Sequence, residues 1–203
     1  MVFPAFFDAV PGIDVRDPLA EFLGASDDGI LHYGYADAVR LAGHSCPTVA
    51  SAYWMTRQAL RALFGDQLAE RGGVRVEFAA AGSAGATGVI ANVVSLLTGA
   101  AADMGFQGLA GQFKRRNLLS FGADIPLEMR YTRLDGQGQI DAMTDLRRIP
   151  AALEMGLLMQ RCLSGEASLP ERNRFRELWQ ERVRSILLGH GDDPSVFVLR
   201  KTA

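Results

Sequence analysis

Between Pro47 and Phe64, the apolar residues Val49, Ala52, Tyr53, Leu60, Leu63 and Phe64 recur at helical spacing, with polar residues between them. That pattern predicts one long amphipathic helix. Ahead of it, "ADAVRLAG" (36–43) reads as a shorter helix closed by Gly43 in the left-handed conformation that ends helices. "RDPLAEFLG" (16–24) predicts another, with Asp17 as its cap and Pro18 at its first position. "ILHYGY" (30–35) suits a short strand or an extended lead-in.

Beyond residue 70 the pattern shifts toward strands. "ERGGVRVEFAA" (70–80) reads as a turn and a strand, and "GVIANVVSLL" (88–97) as a buried helix whose valines also allow a strand. The strongest local signal is a hairpin. "FGADIPLEMRYTRL" (121–134) and "GQIDAMTDLRRI" (138–149) flank "DGQG", whose glycines supply positive φ. Pro126 places the start of the first strand there, or marks an exposed edge. Residues 150–163 and 170–188 read as helices split by the polar turn "SGEASLP", and "SVFVLRK" reads as a last strand. Helices and strands alternate irregularly, so the predicted class is α+β: an antiparallel or mixed sheet packed by helices, with a helical C-terminal part. The best boundary, at residues 164–173, divides a core over 1–163 from an extension over 164–203. The extension's helix and final strand are expected to pack on the core.

Composition narrows the classes. A content of 48% hydrophobic and 22% charged residues suits a globular chain with a real core. A net charge of −2 offers no electrostatic case for nucleic acid or an anionic membrane as the main partner. Cys46 and Cys162 make no disulfide framework and fit a reducing compartment. The N-terminal "MVFPAFFDAVPGIDV" lacks the basic start of a signal peptide. "GSAGATGVIANVVSLLTGAAADMG" has too few strongly apolar residues to span a bilayer. A cytoplasmic location is expected, with no nucleic-acid or membrane partner.

The candidate chemistry lies in "LAGHSCPTVASAYW" (41–54). Pro47 suits the first turn of the long helix, which puts Cys46 at its N-cap, where the helix dipole and free N–H groups favour a thiolate. His44, two residues earlier, can turn toward the same point. His32 lies one short helix upstream, and an antiparallel return would bring it alongside. Two imidazoles and a thiolate form a three-ligand set with an open fourth position, suited to zinc and also to iron, cobalt or nickel. The plainer alternative is a packed cysteine beside a capping histidine. Cys162 reads as a core residue, His190 as a surface residue or helix cap, and Tyr33 and Tyr35 as packing residues.

"GHSCPTVASAYWM" resembles the Gly-His-x-Cys-Pro motif of the FmdE family, named for formylmethanofuran dehydrogenase. The resemblance runs on through "VRVEF", "GVIANVVSLLTGAA" and "GFQGLAGQFKRRNLL", over residues 28–145. It implies an α+β metal-binding core, a homodimer, and a transition metal, most often zinc, held by His44 and Cys46. The chain departs from the family where many members carry further ligands. Ala42 replaces a first histidine, "GATGVIANVV" contains no cysteine, and Asn92 and Val93 stand where an acidic-alanine pair is usual. His32 is therefore the expected third ligand.

Two other stretches invite a ligand. "AAAGSAGATG" (79–88) joins a strand to a helix, but Gly82, Gly85 and Gly88 fit neither a dinucleotide fingerprint nor a P-loop. It reads as a close-packed turn and as a wall of the same pocket. In "KRRN" (114–117), Arg115 or Arg116 suits an anionic group, a solvated face or a salt bridge, and Arg130, Arg133 and Asp135 carry the same alternatives. Three function classes follow. The first is a metal-dependent enzyme acting on a small molecule, with Glu77 or Asp37 as general base. The second is a carrier or sensor of a metal or a metal cofactor such as haem or iron. The third is a metal-free thiol enzyme using Cys46 with His44 as base.

Overall fold

The computed structural model describes residues 2–202. A 3-10 turn (Ala5–Ala9) leads into β1 (Ile13–Arg16), and Asp17 caps the helix that follows, α1 (Pro18–Phe22). The Asp17 carboxylate accepts the N–H groups of Leu19 at 3.0 Å and Ala20 at 3.3 Å, two donors that a helix start leaves free. β2 (Ile30–Tyr33) returns antiparallel to β1, with Asp14 opposite His32. The short β3 (Ala69–Glu70) joins the other edge of β1 in parallel, completing a three-stranded sheet.

α2 (Tyr35–Ala42) ends at Gly43, whose φ of 76° is the left-handed value expected there. α3 (Pro47–Phe64) matches its predicted bounds and buries Val49, Ala52, Tyr53, Met55, Thr56 and Leu60. The main sheet contains β4 (Val74–Phe78), β5 (Leu119–Phe121), β6 (Met129–Arg133), β7 (Gln139–Thr144) and β8 (Phe197–Thr202). Its order is β5-β4-β6-β7-β8, with β4 and β5 parallel and every other pair antiparallel. The class is α+β, with two mixed sheets.

Alternation decides which face of this sheet is covered. Val74, Val76 and Phe78 on β4 are buried, and so are Met129 and Tyr131 on β6. α3 lies over that face, because the fully buried Tyr131 hydroxyl meets Thr56 Oγ1 at 3.1 Å. Each large side chain buried there contributes roughly 1.5–3 kcal/mol. The segment left open between helix and strand is a helix, α4 (Thr87–Thr98), joining β4 to β5. α3 and α4 run in the same direction. Leu63, near the end of α3, accepts from Arg133, while Thr98, at the end of α4, accepts from Gly72. Arg133 pairs with Val74, so both helices end at that end of the sheet and start toward its Phe78–Met129 end.

Several boundaries moved. The first hairpin strand starts at Met129, after an irregular stretch that contains Pro126. Residues after Thr144 leave the sheet because Asp145 caps a 3-10 turn, Leu146–Arg148. The helix expected from residue 150 starts at Met155 as α5 (Met155–Ser164). α6 (Leu169–Arg184) opens on a capping box between Ser168 and Glu171 and continues as a π turn, Ser185–Gly189. α5 and α6 share a small satellite core of Met155, Leu158 and Leu178. β8 pairs with all of β7, and Trp54 Nε1 donates to Gly191 at 2.5 Å, so the chain after residue 163 is joined to the core. No helix among the described residues is long and apolar enough to cross a membrane.

Candidate functional site

The loop between α2 and α3 consists of Gly43, His44, Ser45 and Cys46. Cys46 is the N-cap of α3, as the proline after it predicts, and its Sγ accepts the N–H of Val49 at 3.4 Å. The residue is only 8% exposed. His44 is exposed, with its Nδ1 2.9 Å from the carbonyl of Ala42. A carbonyl only accepts, so Nδ1 is the donor, and in the neutral ring the lone pair then sits on Nε2.

Ser45 holds the loop in place. Its hydroxyl donates to Gln180 Oε1 at 3.0 Å and lies 2.9 Å from the Tyr35 hydroxyl. Its carbonyl accepts from Trp179 Nε1 at 3.0 Å and Gln180 Nε2 at 3.3 Å. Burial pushes the Tyr35 phenol well above its ordinary range, so it stays protonated and donates to Ser45. α6, more than 130 positions away, thus clamps the motif from outside. Tyr35 reads from sequence as packing, and nothing local to Trp179 or Gln180 signals this task.

His32 has a different neighbourhood. It stands on β2 with Nδ1 2.7 Å from Asp14 Oδ1, and its side chain is 68% exposed. Its ring lies against Gly12, where a Cβ would collide with it. The structure does not bring His32 into a ligand group with His44 and Cys46. Among the described residues, no three His, Cys, Asp or Glu side chains are grouped to hold a metal ion. The reason is register: the β1–β2 pairing sets His32 opposite Asp14.

The carboxylates expected as bases are also placed elsewhere. Asp37 accepts from the Gly34 N–H at 2.8 Å and from Arg40 at 2.6 Å, which closes the start of α2. Glu77 lies on the sheet face opposite the buried Val76 and Phe78, across from Arg130. Cys162 is half-buried on α5 rather than in the core, and His190 follows the π turn with Nδ1 3.5 Å from Asp193. Tyr33 packs under Arg71.

Arg130 grips Asp141 with two hydrogen bonds at 2.6 and 3.0 Å, and Arg133 holds Asp135 and the Leu63 carbonyl. Arg130, Arg133 and Asp135 thus take part in ion pairs and hydrogen bonds within the fold. Arg115 forms a buried ion pair with Asp17 at 2.6 Å.

Two hollows lie near the starts of α3 and α4. A groove of about 350 Å³ beside Ser45 is lined by Phe3, Phe7, Val39, Phe175 and Trp179, with Arg176. A smaller cavity of about 170 Å³ at the start of α4 touches Ala79, Ala80 and Thr87 of the glycine-rich segment. The two share no lining residue. Compared with known proteins, the chain matches no family model and no curated protein. The likeness to the FmdE family therefore rests on the sequence motifs.

Proposed function

We propose that the chain binds a transition metal ion, zinc first, through His44 and Cys46, with the remaining positions taken by water or a small-molecule substrate. The observation that carries this reading is the His44 Nδ1–Ala42 hydrogen bond, which leaves an exposed Nε2 lone pair two residues from a capping cysteine. A ring N–H given to a backbone carbonyl is the usual support of a metal-binding histidine. Imidazole and thiolate together suit zinc, iron or cobalt better than calcium or magnesium. A metal bound there would supply Lewis acidity or an activated water. The chain's own contribution is to orient: Trp179, Gln180 and Tyr35 hold Ser45, and Ser45 sets the directions of its two neighbours. The unpaired cysteines support a reducing, cytoplasmic setting, and the FmdE-type motifs support a homodimer.

Elemental analysis of purified protein tests the reading. About one metal per chain is expected, lost in both His44→Ala and Cys46→Ala. A His32→Ala variant decides whether His32 moves in as a third ligand. Wild-type protein free of metal, or metal retained in both loop variants, would refute the proposal.

The groove beside Ser45 favours a second reading, a carrier of a metal-containing organic cofactor. Its aromatic walls suit a flat apolar body, and Arg176 suits an acidic substituent. An absorption spectrum separates the two readings. A Soret band selects the carrier, whereas colourless protein with stoichiometric zinc selects the simple metal site.

A further inference from the structure

Two guanidinium groups share a single carboxylate where α1, β3 and the loop before β5 meet. The buried Asp17 accepts from Arg71 Nη1 and from Arg115 Nη2, each at 2.6 Å. Arg71 also donates to the Leu96 carbonyl at 3.0 Å and lies over the Tyr33 ring. Even so, Arg71 Nε and Arg115 Nη1 are buried with no hydrogen-bond partner among the described residues. Buried unpaired donors are costly, and few survive in folded chains.

Arg115 has little room to retreat. A Cβ at Gly72 would collide with its guanidinium, and one at Gly99 would stand 2.7 Å from Nη1. Both glycines have positive φ, 83° and 70°, so the backbone there is shaped around the arginine. Burial pulls the Arg115 pKa down, and the Arg71 charge adds to that pull while Asp17 opposes it.

Beside this cluster opens a cavity of about 230 Å³, lined by Pro18, Glu70, Arg71, Phe113, Lys114 and Arg115 among others. Lys114 is exposed and makes no ion pair among the described residues, and the same holds for Glu70. Arg71, Lys114 and Arg115 set against Asp17 and Glu70 leave one positive charge in excess. The segment that carries Lys114 and Arg115 bends through three non-glycine residues of positive φ: Ala110 (47°), Phe113 (60°) and Asn117 (61°). Such conformations cost free energy and cluster at ligand sites.

We propose that this cavity binds the oxyanion group of a small metabolite, a phosphate or a carboxylate, between Arg71, Lys114 and Arg115. Arginine forks and a lysine point charge are the groups that recognise such anions. The site shares no residue with the His44–Cys46 loop, so it stands or falls independently of the metal reading.

Thermal unfolding of the full chain in sodium phosphate, sodium acetate and sodium chloride, at matched ionic strength, tests it. Phosphate or acetate is expected to raise Tm saturably while chloride does not, and the anion that acts identifies the source. Lys114→Glu, checked for native circular dichroism, should weaken that response at least about tenfold, since it removes one charge-assisted hydrogen bond and adds a negative charge beside the anion. The proposal is overturned if the three salts behave alike. It is equally overturned if a saturable shift persists unchanged in Lys114→Glu.

Discussion

Replacing Asp17 by asparagine removes one charge and little else. Asparagine caps a helix as well as aspartate does, so the acceptor for the Leu19 and Ala20 N–H groups is kept. What disappears is the anion between Arg71 and Arg115, whose side chains are 18% and 9% exposed. Removing one partner of a buried pair costs about 3–5 kcal/mol, because the remaining charge stays out of water. Arg71 is partly wetted, so the lower end, about 3 kcal/mol, is expected for Asp17→Asn. Asp17→Ala loses the cap as well and should cost about 1 kcal/mol more. Arg115→Met leaves Asp17 and Arg71 matched one to one, and should cost less than either change at Asp17. Urea denaturation at pH 7 and 25 °C measures all three, provided the m-value is unchanged. Against a total stability of about 5–15 kcal/mol, a loss of 3 is easily read. An Asp17→Asn variant within about 1 kcal/mol of wild type would refute the placement of that charge in a buried cluster.

Other expectations follow from the same contacts. Tyr131→Phe removes a buried hydroxyl, while Thr56 keeps its bond to the Ala52 carbonyl at 2.7 Å, so a loss of about 1 kcal/mol in urea is expected. The Arg130 hydrogen bonds hold the Asp141 carboxyl below its usual range. The stability this supplies is present above the unfolded aspartate pKa, near 3.9, and fades as pH falls through the lower folded value. The gap between wild type and Asp141→Asn should therefore narrow from pH 5 to pH 2.5, and a constant gap would contradict it. Trp179→Phe removes the donor to the Ser45 carbonyl and should lower metal affinity by chelator competition about tenfold, with Tm lowered only slightly. An unchanged affinity would remove Trp179 from any positioning role.

The long elements were legible because their signals are local. Apolar spacing over residues 47–64 and the cap at Cys46 need no partner to be read, and α3 forms where they place it. The DGQG hairpin is of the same kind. Strands of two to four residues, such as β1, β3 and β5, are too short for their pattern to single them out, and they are set by the strands that lie beside them. The same division runs through the candidate site. Sequence alone determined that His44 and Cys46 sit together at a helix start, since two residues cannot be far apart. Only the tertiary structure decided that strand register pairs His32 with Asp14, that α6 grips Ser45, and that Arg115 crosses to Asp17. Those contacts join positions far apart in the chain, and they are set by how sheets and helices close on the core, which no local pattern encodes.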